Sequence, residues 1–122
     1  MPLDFLPPEV STIGDLDLLV LRRVRDALSE PGSWARGIYD LGNRHCAIGW
    51  MQVFATGGHQ IERIAALYIR PVLPWSTVLF GRRATSATDA VILFNDRQTR
   101  REKVVAMFER AIRRAERMER TS

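Results

Sequence analysis

The residues of this chain best suited to nucleophilic chemistry are its one cysteine and two histidines. His45 and Cys46 are adjacent, His59 follows, and Asn95 and Asp96 lie side by side further on. A thiol hydrolase could use Cys46 as nucleophile, His59 or His45 as base, and Asn95 or Asp96 to orient the imidazole. The apolar run after Cys46 places the thiol in the first turn of a helix, where the helix dipole favours a thiolate. The same residues also have a plain structural reading. Cysteine is among the most buried residue types and usually acts as a small hydrophobe. Ala47, Ile48 and Trp50 beside it favour burial, and no local signature of a cysteine hydrolase surrounds it. Asn tolerates left-handed helix C-cap geometry and Asp accepts N–H groups at a helix start, so Asn95-Asp96 reads first as a polar corner between helices.

Other chemistries find less support. The spacing of His45, Cys46 and His59 matches no usual zinc set, so no metal is expected. Gly81-Arg82-Arg83 lacks the frame of a phosphate-binding loop, so no cofactor is expected either. A basic strip on the C-terminal segment (Lys103, Arg110, Arg113, Arg114, Arg117), extended by Arg82, Arg83, Arg97, Arg100 and Arg101, could meet a polyanion. Interleaved Glu102, Glu109 and Glu116 make a solvated face the simpler reading, and no helix-turn-helix pair precedes it.

These residues need elements to position them. One is a long helix over 100–120. At about 100° per residue, Val104, Val105, Met107, Phe108, Ala111, Ile112, Ala115 and Met118 fall on one face. Thr99 and Glu102 fit a capping box. Thr12 and Asp15 open another helix that runs to residue 28, with Leu16, Leu19, Val20, Val24, Ala27 and Leu28 inward. Ser29-Glu30-Pro31-Gly32 ends it. Residues 34–43 read as an irregular segment anchored by Trp34, Ile38 and Tyr39. The run 46–56 is apolar nearly all round and reads as a buried central helix, with the 100–120 helix packed across it. A helix over 59–69 follows, with Ile61, Ile64, Ala65, Leu67 and Tyr68 inward. Residues 75–80 read as an irregular turn, and Ser86 with Asp89 caps a helix over 87–94.

The whole is an all-α chain of about five helices: an extended arm over 1–12 and a single helical domain over 13–120. A length of 122 residues suits one core. Hydrophobic residues make up 46% and charged residues 26%, as in ordinary globular proteins. No run reaches the ~20 apolar residues of a membrane helix. The N-terminus has acidic residues and three prolines and does not read as a signal peptide. A single cysteine suits a reducing, cytoplasmic setting. The net charge is +4, and of 18 basic residues only Lys103 is a lysine. That charge suits an acidic protein or a nucleic acid as partner without choosing between them. The apolar arm (Leu3, Phe5, Leu6) could dock on a second copy.

The pattern Trp34-x-x-Gly37, Cys46-Ala47-Ile48-Gly49, Phe94-Asn95-Asp96, Thr99 and a valine-bearing helix resembles a family of short bacterial and phage proteins, a domain of unknown function. The resemblance spans about residues 13–112. This chain has Trp50 where members commonly have Ala, and Phe94 where they have Trp. The resemblance implies no activity or cofactor. It does imply that Cys46, Gly49, Asn95 and Asp96 lie near one another. The leading expectation is therefore a small cytoplasmic interaction protein without chemistry of its own. A Cys46-dependent hydrolase or transferase and a nucleic-acid binder are the alternatives.

Overall fold

The computed structural model describes residues 12–36, 40–42, 44–74 and 86–121. The N-terminal arm, Gly37, the anchors Ile38 and Tyr39, the turn at 75–80, Arg82 and Arg83 lie outside those residues. Among the described residues the chain forms five helices: α1 Ile13–Ser29, α2 Ala47–Phe54, α3 Gly58–Ile64, α4 Ala87–Arg97 and α5 Arg101–Thr121. The chain continues from α3 through a π-helical turn, Ala65–Ile69, and a 3-10 turn, Arg70–Val72. The all-α expectation holds, with one small addition. Two-residue strands β1 (Asp40–Leu41) and β2 (Arg44–His45) form an antiparallel hairpin that begins in the segment expected to be irregular and ends just before α2. Gly42 turns it with φ +64°, a left-handed value that glycine adopts freely.

Two of the three expected caps form at the signalled residues; the third does not, since α5 begins at Arg101 and Thr99 makes no capping hydrogen bond among the described residues. Thr12 Oγ1 accepts from Asp15 N–H at 3.0 Å, and Ser86 Oγ accepts from Asp89 N–H at 3.1 Å. At the other end of α1, Glu30 N–H donates to Ala27 C=O, and Arg101 from α5 reaches Leu28 C=O at 2.8 Å.

The α5 stripe is buried as its periodicity requires. Val104, Met107, Phe108, Ala111, Ile112 and Ala115 are inside, while Val105 and Met118 are half-buried. Its main neighbours are α1 and the segment 65–72, not α2. The reason is length. An eight-residue α2 spans about 12 Å, whereas the 17 residues of α1 span about 25 Å and can line a 21-residue partner. On α1 the face that turns inward is Leu18, Leu21, Val24 and Leu28 with Val20, while Leu16, Leu19 and Ala27 are only half-buried.

α2 is also less central than its composition suggests. Ala47, Ile48, Gly49 and Met51 are buried, Trp50 and Phe54 are half-buried, and Val53 is 53% exposed. In the third helix region Leu67 is 40% exposed, because at about 100° per residue it falls well off the Ile61–Ile64–Tyr68 face. Finally, α4 runs on to Arg97, so Asn95 and Asp96 belong to its last turn and the corner comes at Gln98. Among the described residues no non-glycine residue has positive φ, so Asn95 is not the left-handed cap its sequence context suggests.

Candidate functional site

Asn95 is 1% exposed and is the hub of a buried polar knot. Its Oδ1 accepts from the indole Nε1–H of Trp34 at 2.7 Å and from the backbone N–H of Ala47 at 3.0 Å. Its Nδ2 donates to Ala35 C=O and to Asp96 Oδ1, both at 3.2 Å. A carboxamide offers two acceptor sites and two donors, so all four are engaged. One side chain thereby ties the end of α4 to the start of α2 and to the extended segment 33–35.

That segment is fixed from the other side by β2. His45 N–H donates to Ser33 C=O at 2.9 Å, and Ala35 N–H donates to His45 C=O at 3.0 Å. Trp50 Nε1–H also donates to Ser33 C=O, at 2.8 Å. The His45 ring meets Trp50 edge-on at 4.6 Å, and Trp50 stacks on Phe54 at 6.1 Å.

Cys46 is the N-cap of α2 rather than part of its first turn. Its Sγ accepts from Gly49 N–H at 3.3 Å, the place a serine or threonine hydroxyl usually takes. The residue is 3% exposed. Burial pushes the thiol pKa up, and the charge of Asp96 adds to the rise. The N–H groups of Gly49 and Ile48 pull the other way without compensating. The helix-terminus effect that could have activated this thiol is thus outweighed by desolvation.

The structure brings Cys46, Asn95 and Asp96 together around the start of α2. It does not bring His59 to them. His59 is exposed at the start of α3, and among the described residues it makes no hydrogen bond to Cys46, Asn95 or Asp96.

A second buried polar cluster has no counterpart in the sequence reading. Asp17 on α1 is 1% exposed. Arg63 grips its carboxylate from two nitrogens, Nε to Oδ2 at 2.8 Å and an Nη to Oδ1 at 2.6 Å. Gln60 Nε2 donates to the same Oδ1 at 3.1 Å, while Gln60 Oε1 accepts from the N–H of Thr56 at 2.7 Å and from its hydroxyl. The hydrogen bonds to Asp17 raise the Arg63 pKa. A signal for this cluster was present: Asp17 shares its helical face with Leu21, Val24 and Leu28, and an acid on an apolar stripe needs a buried partner.

Glu62, next to Arg63, closes the start of α4. Its carboxylate accepts from the N–H groups of Ala87 and Thr88, at 2.8 and 3.1 Å, and from the Thr88 hydroxyl. Burial alone would raise its pKa. The Thr88 hydroxyl and the two N–H groups outweigh burial and bring the pKa below the ordinary carboxylate value.

Of the arginines expected to bind, Arg113 and Arg117 are exposed, and Arg110 and Arg114 are half-buried, all on α5. Arg114 Nε already donates to Leu67 C=O at 2.8 Å. An open recess of about 360 Å³ lies where Ser29 faces Arg101, Glu102, Val105 and Glu109. Its guanidinium is committed to Leu28 C=O, and one half-buried valine is its only apolar wall, which gives little enclosure for a small molecule. Among the described residues, no group of three His, Cys, Asp or Glu side chains is placed to hold a metal ion. No helix there is long and apolar enough to cross a membrane.

Residues 15–114 match the profile of a family of unknown function, DUF6197, and the chain belongs to that family. The match takes in Trp34, Cys46, Asn95 and Asp96 as well as Asp17, Gln60 and Arg63. No curated protein and no solved structure matches the chain.

Proposed function

We propose that this chain is a small binding protein that acts on a protein partner through its surface, not through a nucleophile at Cys46. The observation that carries this reading is the saturation of the knot. Asn95 uses all four of its hydrogen-bonding positions on the protein itself. Cys46 is buried, holds Gly49 N–H, and has its thiol pKa raised. A cysteine hydrolase needs the reverse: an accessible thiol of lowered pKa. The cationic groups of α5, by contrast, lie along a rigid helix, and Arg110, Arg113 and Arg117 are the residues assigned to partner contact, while Arg114 is held by Leu67 C=O.

Genetic complementation tests this without knowledge of the partner. In a host where loss of the gene produces a defect, Cys46→Ser keeps the cap and removes the thiol, so it is expected to restore function. Failure of a folded Cys46→Ser protein to do so would contradict the proposal.

A further inference from the structure

The solvent side of α5 carries a second periodic pattern. Lys103, Ala106, Arg110, Arg113, Arg117 and Arg120 follow one another at alternating steps of three and four residues. That is the spacing of a coiled-coil seam, here running along the helix away from the core for about 25 Å. Every seam residue except the small Ala106 is cationic.

The edges of the seam are tied into the fold. Glu102, Glu109 and Glu116 form a parallel row at seven-residue spacing on the side toward α1. Glu116 pairs with Arg22 of α1 at 2.9 Å, and Glu102 with Arg101 at 3.5 Å. On the other edge Arg114 is held by Leu67 C=O. Within the seam, the side chains of Lys103, Arg110, Arg113 and Arg120 make no hydrogen bond or ion pair among the described residues. The interleaving that makes this helix look merely solvated in sequence is, on the folded surface, a separation into one row of each sign.

We infer that this seam seats an acidic amphipathic helix of a partner protein, with carboxylates at three- and four-residue spacing. The inference rests on the binding reading above and gives it a surface and a partner class. A helix about 10–12 Å wide covers the cationic seam and can set basic residues of its own against the glutamate row. A nucleic-acid duplex is wider and would lay phosphates over that row. The seam also offers no Ser, Thr, Asn, Gln or aromatic side chain, the groups that share phosphate and base contacts with cations in nucleic-acid sites. Because the seam has no large apolar anchor, the contact is salt-sensitive.

The test titrates the full chain at low salt with three probes. One is a helical peptide of about three heptads with glutamates in seam register. The second is its isomer of equal charge with the register scrambled, and the third is a short DNA duplex. The register peptide is expected to bind at least about tenfold tighter than either of the others and to weaken as salt rises. Arg110→Glu/Arg113→Glu should abolish that preference while keeping the wild-type thermal transition. Arg113→Gln, at an exposed position, should weaken it partially. Equal binding of the isomer, tighter binding of the duplex, or no binding of any probe overturns the seam assignment. None of these outcomes bears on Cys46. A reactive, activated thiol would instead overturn the binding-protein reading, whatever the titrations give.

Discussion

The two buried polar clusters do similar jobs with different chemistry. The Asn95 knot centres on a neutral carboxamide, and its four partners are two backbone groups, one indole and the Asp96 carboxylate. The Asp17 cluster is ionic: a fully buried carboxylate held by a guanidinium whose side chain is 36% exposed. Each ties helices that are far apart in sequence. The first joins α4, α2 and segment 33–35; the second joins α1 to α3 and to the end of α2. A carboxamide that reaches four partners fixes geometry and leaves no reactive capacity. A boundary ion pair keeps its charge partly in water and depends on both members being present.

Removing the hub should show the difference most strongly. Asn95→Ala strands the Ala47 N–H, the Ala35 C=O and the Trp34 indole in the interior. At about 1–3 kcal/mol for each stranded group, partly relieved by relaxation, a loss of about 4 kcal/mol is expected in chemical denaturation. A loss below about 1 kcal/mol would mean that the knot is not what joins α4 to α2.

Arg63→Ala should follow, at about 3 kcal/mol, since it leaves Asp17 buried without its counterion. That figure sits at the low end for buried pairs because the guanidinium side is open to solvent. Asp17→Leu/Arg63→Met should recover most of the loss, because an apolar pair removes the stranded charge. Full recovery is not available at Asn95, because two of its partners, Ala47 N–H and Ala35 C=O, are backbone groups that no second substitution removes.

Glu62 separates charged from neutral by pH. Its folded pKa is depressed, so its contribution is present above the unfolded carboxylate value and is lost as pH falls through the folded one. Glu62→Gln should cost about 1 kcal/mol at neutral pH, measured by thermal unfolding, with the difference from wild type closing in acid. A gap that stays constant down through the carboxylate range would show that the charge of Glu62 contributes nothing. The smallest effect is expected at Cys46. Serine is itself a good N-cap, so Cys46→Ser should change stability by less than about 1 kcal/mol, whereas Cys46→Ala loses the cap and costs about that much.

The contrast between the clusters also explains what could be read in advance. The helices were legible because their signals are local: the α5 stripe repeats over 21 residues, and Thr12 and Ser86 sit three positions before the N–H groups they cap. Asn95 and Cys46 were picked out by residue type, but their roles were not legible. Three of the four partners of Asn95 lie 48 to 61 positions away, and nothing local marks Ala47 N–H as one of them. The expected corner at Asn95-Asp96 failed for the same reason, since a side chain engaged at long range lets the helix continue to Arg97. Asp17 was missed although its place on the Leu21–Val24–Leu28 face marked it as buried. The sequence shows no trace of which of its many arginines would reach it.

We hold that the chemistry-bearing residues around the start of α2 are architectural. The pH dependence of Cys46 alkylation in the native protein is the sharpest check. A capped, desolvated thiol predicts negligible modification until the protein unfolds, with any residual reaction titrating above the ordinary ~8.5 of a free cysteine. Fast modification of the folded protein, with an apparent pKa well below that value, would contradict the account and return Cys46 to the role of nucleophile.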